Sequence, residues 1–314
     1  MSAGNTLQAA VAQAFGVAAD TPLQAAQQLG FVDREAAILA QMFEAQRRRT
    51  PAGTPLAGFA LRAENLPVRP PLQAFAPLAE RSMGLYAIVD SADWVARVLQ
   101  AGIRTVQLRI KQAPPQALAA QIRRSVQAAQ AAGAQLFIND HWQLAIEHGA
   151  YGVHLGQEDL DSADLDAIRA AGLRLGLSTH AYWEVCRAWA LGPSYIACGP
   201  IHATQLKVMP WTPQGEGNLA YWCALLQAVP VVGIGGMDAA RCAEAMRCGA
   251  DGVCVVSAIT SAADPEAAMA ALQQAVHQGQ AAPRRPVPAL PRPTLRREVD
   301  RPGVVRFVHP SAPS

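Results

Sequence analysis

The sequence predicts an α/β protein built as a (β/α)8 TIM barrel, with a short helical N-terminal extension and a disordered Pro/Arg-rich C-terminal tail. Three observations carry this expectation. Between Gly84 and about Gln278, short apolar runs alternate eight times with longer amphipathic stretches. The runs are almost continuously apolar, as parallel strands buried on both faces require. Several are introduced by a helical stretch that stops at glycine just before the run: AAGAQLF, HGAYGVHL and CGADGVCVV. Eight such units fit a small barrel better than the alternative, a doubly wound open sheet.

The elements follow in chain order. Residues 1–50 are rich in Ala and Gln, with Leu7, Val11 and Phe15 at helical spacing. Thr21-Pro22-Leu23-Gln24 then reads as a capping box with proline at the first helical position. A second helix starts at Asp33 and ends in Arg47-Arg48-Arg49, acid early and base late, as the helix dipole favours. This extension reads as a docking or oligomer-forming appendage, which leaves a homo-oligomer open. Prolines 51, 55, 67, 70, 71 and 77 mark a linker over 51–83. The barrel, 84–278, has its strands at LYAIV (85–89), TVQLRI (105–110), QLFIN (135–139), GVHLG (152–156), LRLGLS (173–178), YIACG (195–199), PVVGIG (230–235) and GVCVVS (252–257). In the tail, 281–314, seven arginines face two acids and large apolar residues are few. Such a segment cannot offset its ordering entropy by burial, so disorder is expected.

At 314 residues and 51% hydrophobic, the chain is long enough and apolar enough for a substantial core. No apolar run approaches the roughly 20 residues that span a bilayer, and MSAGNTLQAA lacks the order of a secretory signal. These features place the chain in the cytoplasm, without a membrane partner. The net charge of +2 is concentrated in the tail, so the remainder is slightly acidic and offers no nucleic-acid footprint. The six cysteines form no CxxC and sit in apolar patterns, as buried thiols do.

In a (β/α)8 barrel the working residues follow the strands, at one face. The positions after the eight runs are Asp90; Arg109 and Lys111; Asn139 and Asp140; Gln157, Glu158 and Asp159; Ser178, Thr179 and His180; Thr204 and Lys207; Gly235 and Gly236; and Ser257. The opposite loops carry little beyond alanine and glycine, an asymmetry that turn propensity alone does not produce. Asp140 and Asp159 follow consecutive strands and are neighbours at the mouth. Two such carboxylates suit Mg²⁺, although an acid/base pair or two solvated loop acids would read the same way. Lys111 and Lys207, the only two lysines of the chain, favour the metal by adding cations to the same mouth as Arg109 and Asn139. Together they imply a highly anionic group such as a diphosphate. GIGGM (233–237) and VVSAI (255–259) follow the last two strands, where barrels hold phosphate on glycine backbone and a helix start. Small-molecule substrates follow, one a diphosphate and one a monophosphate.

VQLRIK, FINDHWQLAIEHGAYGVHLGQEDL, LGLSTH, YIACGPIHATQLK, VVGIGGM and GADGVCVVSAI resemble, in order and spacing, the thiamine-phosphate synthase family, from about Gly84 to about Val276. The resemblance implies a transferase of thiamine biosynthesis. Such an enzyme condenses hydroxymethylpyrimidine diphosphate with a thiazole phosphate, giving thiamine phosphate and diphosphate by a Mg²⁺-assisted dissociative route. It implies Asp140 and Asp159 as Mg²⁺ ligands. Gln107, Arg109, Lys111 and Asn139 would contact the pyrimidine diphosphate, with Ser178 and Lys207 on its diphosphate side. Thr204 would lie near the thiazole phosphate, which Gly236, Val256 and Ser257 would bind largely by backbone. Catalytic charge stabilisation would fall to Arg109, Lys111, Ser178 and Lys207. Ile110, His202 and Leu206 depart from residues common in the family. His180 reads as a pocket or structural residue with no orienting acid evident. Two rivals share the barrel: a thiazole tautomerase relying on His180, and a catalytically inactive binding protein.

Overall fold

A computed structural model describes residues 22–28, 31, 33–49, 73–204, 211–288, 291–294, 297–301 and 304–307. Its centre is a closed barrel of eight strands: β1 (Gly84–Val89), β2 (Thr105–Leu108), β3 (Gln135–Asn139), β4 (Gly152–Leu155), β5 (Arg174–Thr179), β6 (Tyr195–Cys198), β7 (Val231–Ile234) and β8 (Gly252–Val255). Each strand pairs in parallel with the next, and β8 closes on β1 with Gly252 opposite Gly84. The eight expected runs coincide with the strands to within two residues. The helices are α1 (Pro22–Gln28), α2 (Asp33–Arg49), α3 (Ala92–Gln100), α4 (Pro115–Ala131), α5 (Trp142–Glu147), α6 (Leu165–Ala170), α7 (Tyr182–Leu191), α8 (Gly215–Leu225), α9 (Ala239–Arg247), α10 (Ser257–Thr260) and α11 (Pro265–Ala281). Asp164, Asp238 and Asp264 each accept a hydrogen bond from the amide three residues on, which satisfies a donor that the helix start leaves unpaired. Gly133, Gly149 and Gly249, the expected helix stops, all adopt positive φ.

Side chains alternate along each strand, and this period of two decides what can line the interior. Leu85, Ala87 and Val89 of β1 pack outward on the helices, while Tyr86 and Ile88 point inward. In β3, Leu136 and Ile138 pack outward and Phe137 inward; in β6, Ile196 and Cys198 pack outward and Tyr195 inward. The same parity turns Gln107, Asn139, His154 and Ser178 inward. Phe137 and Tyr195 meet edge to face with centroids 5.0 Å apart, and each lies over a glycine of the adjoining strand. Phe137 is registered on Gly152 and Tyr195 on Gly176. A Cβ at Gly152 would come within 2.7 Å of the Phe137 ring, and one at Gly176 within 2.1 Å of the Tyr195 ring. The barrel is therefore filled by large rings set against absent side chains.

The end of the expected linker closes the bottom of the barrel. The Phe75 amide donates to Gly192 O (2.9 Å), Ser194 Oγ donates to Ala76 O (2.6 Å), and Thr105 Oγ1 donates to Met83 O (2.8 Å). All six cysteines are free thiols and five are buried, and burial pushes Cys186 up to about 12. Among the described residues, no helix is long and apolar enough to cross a membrane.

Helix α2 begins at Asp33 and ends at Arg49 as expected; Leu7, Val11, Phe15 and Thr21 lie outside the described residues. Its buried residues Ala36, Leu39 and Met42 join the barrel core, so the appendage docks on its own chain, against α7. Glu35 is buried with them. One of its carboxylate oxygens accepts from the Tyr182 amide at the start of α7 (2.5 Å), and the other has no hydrogen-bond partner among the described residues. Burial is the main cause that raises its carboxyl from 4.5 to about 7, and neighbouring Glu184 adds to it. Folded protein then holds a proton that the unfolded chain has released between those pH values, so stability falls as pH rises through this window. The full effect is on the order of 3 kcal/mol. The melting temperature is expected to drop from pH 5 to pH 8, and Glu35→Gln to remove most of that drop. An equally steep profile in the variant would place the titration elsewhere.

The tail corrects the expectation of disorder for residues 283–288 and 291–294. The Arg285 amide donates to Arg247 O (2.9 Å), Arg284 Nη1 donates to Met246 O (2.8 Å), and Arg285 pairs with Glu244 (2.6 Å). Carbonyls at the end of α9 have no partner within the helix, and the arginines supply donors to them. Composition registered the missing apolar burial but not these polar anchors. Further on, β9 (Arg297–Arg301) and β10 (Val304–Phe307) pair antiparallel.

Candidate active site

A run of hydrogen bonds crosses the upper barrel interior. Gln107 Nε2 donates to the Tyr86 hydroxyl (3.0 Å), which meets the Tyr195 hydroxyl at 2.8 Å. Tyr195 lies 2.7 Å from His154 Nδ1, and His154 Nε2 lies 2.8 Å from Ser178 Oγ. Two expected substrate residues, Gln107 and Ser178, are thus the ends of one chain. With Gln107 donating, the Tyr86 O–H donates to the Tyr195 oxygen and the Tyr195 O–H to His154 Nδ1, because buried hydroxyls keep their donors satisfied. Nε2–H then donates to Ser178, whose own proton remains for another acceptor. Burial, then the charges of Arg109 and His180, lower His154 to about 3. It is neutral at physiological pH and a poor proton acceptor, so the Ser178–His154 contact is not an activated nucleophile.

The carboxylates expected to hold a metal converge from adjacent strands. Asp140 follows β3 with φ 62°, a left-handed conformation that Asp tolerates better than most residues, and its amide donates to His154 O (3.0 Å). Asp159 opens the 3-10 turn Asp159–Asp161, and its Oδ2 accepts from the Gly156 amide (2.7 Å). Arg187 of α7 steadies the same loop through Gln157 O (3.2 Å) and Asp161 (2.6 Å), and Gln157 Nε2 reaches Ser178 O (2.8 Å). Burial raises the Asp140 carboxyl, the Asp159 carboxylate raises it further, and Arg109 opposes both. Two acids facing each other, with few other ligands, form a site that wants a cation. Among the described residues no group of three or more His, Cys, Asp or Glu could hold a metal.

Arg109 and Lys111 lie exposed just beyond β2, and Asn139 is the buried last residue of β3. His141 ties the two loops together, its Nε2 lying 3.2 Å from Ile110 O. Gly235 and Gly236 both have positive φ. A Cβ at Gly235 would lie 2.7 Å from Pro200, and one at Gly236 2.5 Å from Ala203 O. The glycines are therefore required by the loop after β6, whatever anion approaches them. Val256 and Ser257 form the start of α10. Thr204 is described and half-buried, while Leu206 and Lys207 lie outside the described residues.

His180 does have an orienting acid. Glu184, one turn into α7, accepts from the His180 amide (2.6 Å) and from Nδ1 (2.9 Å), and the imidazole stacks on Trp211 at 4.2 Å. The i,i+4 spacing of His180 and Glu184 was the signal for this pair. Tyr86, His154 and Tyr195 also escaped the reading of strand ends. Their signal is parity, since each occupies an inward position of its strand.

The profile described as Thiamine monophosphate synthase matches residues 85–259. A thiamine-phosphate synthase of Serratia proteamaculans is 52% identical over 200 residues, covering 64% of this chain and 94% of that protein. One of Neisseria meningitidis is 50% identical over 199 residues, covering 63% and 97%. Among solved structures, a thiamine phosphate pyrophosphorylase of Pyrococcus furiosus superposes with a TM-score of 0.57 at 28% identity, covering 63% of this chain and 98% of that one. With a profile match over more than half of its length and the closed barrel beneath it, the chain belongs to the thiamine monophosphate synthase family.

Proposed function

We propose that this chain is a thiamine-phosphate synthase that joins hydroxymethylpyrimidine diphosphate to a thiazole phosphate, releasing diphosphate. The observation that carries the reading is the meeting of Asp140 and Asp159, with Arg109 beside them, above a floor where burial holds His154 neutral. Such a mouth is built to stabilise leaving negative charge and not to abstract protons. Asp140 and Asp159 would hold Mg²⁺, which when bound neutralises charge on the diphosphate as it departs. Arg109, Lys111 and Lys207 would share that task, Gln107 and Asn139 would hold the pyrimidine, and the Ser178 proton would meet a diphosphate oxygen. The bond from the pyrimidine methylene to diphosphate breaks with its electron pair leaving on oxygen. The ring supports the resulting cation, and the thiazole nitrogen lone pair forms the new C–N bond. Thr204, Gly236, Val256 and Ser257 would seat the thiazole phosphate.

The His180–Glu184 pair favours a second reading, a thiazole tautomerase that needs no pyrimidine substrate. Incubation with each substrate alone, and with both plus Mg²⁺, separates the two. Diphosphate and thiamine phosphate are expected to appear together, and only in the complete mixture. Conversion of the thiazole alone, with no diphosphate released, would establish the second reading instead.

A further inference from the structure

The tail segment 291–294 lies well beyond the end of the family match at 259, yet it is built into the mouth of the barrel. Thr294 is 3% exposed, and its hydroxyl donates to the His180 carbonyl (2.7 Å). That carbonyl has a second donor, Gln214 Nε2 (2.8 Å). The Thr294 carbonyl accepts from the Thr212 amide (2.7 Å). Arg292 and the buried Asn218 of α8 exchange two hydrogen bonds, Arg292 N to Asn218 Oδ1 (2.6 Å) and Asn218 Nδ2 to Arg292 O (2.8 Å). The Arg292 guanidinium also donates to the carbonyls of Pro213 and Gln214. The segment thus ties His180 to the returning limb of the loop after β6, where Trp211 stacks on the same imidazole.

The connection continues inward. The Gln214 amide donates to Pro200 O (2.7 Å) and the Gly215 amide to Ile201 O (2.9 Å). The amides of Ile201 and His202 donate in turn to Ile234 O (2.8 Å) and Gly235 O (3.1 Å). A strap outside the family barrel is therefore three layers of hydrogen bonds away from the glycine turn. Glu35, from the other extension, fixes the far side of the His180 turn through the Tyr182 amide.

We propose that residues 291–294 are a working part of the second substrate's site, with Thr294 as a positioning residue that holds His180 and, through Gln214, the loop against the Gly235–Gly236 turn. The proposal rests on the synthase reading above. Thr294→Val deletes the hydroxyl at nearly constant shape, and Thr294→Ser restores it. In the full chain, Thr294→Val is expected to raise KM for the thiazole phosphate about fivefold, what one neutral hydrogen bond sustains. Its kcat and its KM for the pyrimidine diphosphate stay near wild type, and Thr294→Ser recovers the lost affinity. Unchanged KM values, no rescue by serine, or parallel losses of kcat and melting temperature would each overturn the proposal. Hydrogen exchange at the Thr212 amide gives a readout independent of turnover and is expected to quicken in Thr294→Val. Wild-type protein that makes no thiamine phosphate would sink the synthase reading, whereas unaltered exchange would sink the strap.

Discussion

Asp140→Asn is expected to lower kcat/KM for thiamine phosphate formation by about 100-fold or more, the scale seen when one preorganised charge-stabilising group is removed. The melting temperature should stay level or rise. Both outcomes come from the same geometry: the Asp140 carboxyl faces the Asp159 carboxylate, so its charge is a cost to the fold and a benefit to a bound cation. Asparagine removes the repulsion, keeps the side-chain shape and tolerates the positive φ found there. Asp159→Asn should behave alike, because its remaining amide oxygen can still accept from the Gly156 amide. Alanine at Asp159 would lose that loop contact as well and would mix two effects. Parallel losses of activity and melting temperature in the asparagine variants would assign the pair to structure, and the site would need another centre. Sites that hold like charges together commonly sacrifice stability for function, and a gain in melting temperature with lost turnover is the signature of that trade.

The barrel was legible because its signals are local and repeat. Each strand is a short apolar run, each preceding helix stops at glycine, and eight repeats leave few architectures. Strand-end reading also brought Asp140 and Asp159 together correctly, since consecutive strands of a barrel are neighbours. It overlooked the chain from Gln107 to Ser178, because Tyr86, His154 and Tyr195 sit inside strands, where polar atoms look like incidental core. Counting inward parity from Gln107 would have found all three. The Glu184 partner of His180 was legible as helix spacing and was passed over. Thr294 and Glu35 were beyond reach. Their partners are backbone groups at His180 and Tyr182, far away in sequence, and a backbone acceptor or donor leaves no trace in residue identity. The ordered part of the tail was misjudged for the same reason, since its arginines are anchored on helix-end carbonyls instead of apolar surface.

Gly176→Ala is expected to cost about 3 kcal/mol, the upper part of the range for overpacking a core, and to lower the melting temperature by roughly 10 °C. A methyl at this position would stand 2.1 Å from Cζ and 2.4 Å from the hydroxyl of Tyr195. The ring cannot retreat easily, because Phe137 packs edge-on against it with centroids 5.0 Å apart and Tyr86 meets it edge-on at 5.9 Å. Displacing the ring also moves its hydroxyl from His154 Nδ1 and Tyr86, so the chain that orients Gln107 and Ser178 breaks. Activity should therefore fall further than the loss of folded protein explains. Tyr195→Phe separates the two effects: it keeps the ring, removes the hydroxyl, and should lower kcat/KM with only a modest change in melting temperature. Gly217→Ala is the control for glycine replacement as such, since a Cβ there meets nothing within 4 Å inside α8. Helix propensity favours alanine over glycine by up to about 1 kcal/mol, so that variant should be neutral or slightly more stable. If Gly176→Ala melted with Gly217→Ala, the Tyr195 ring would have room to shift, and the interior would be less tightly filled than the register of β5 on β6 implies.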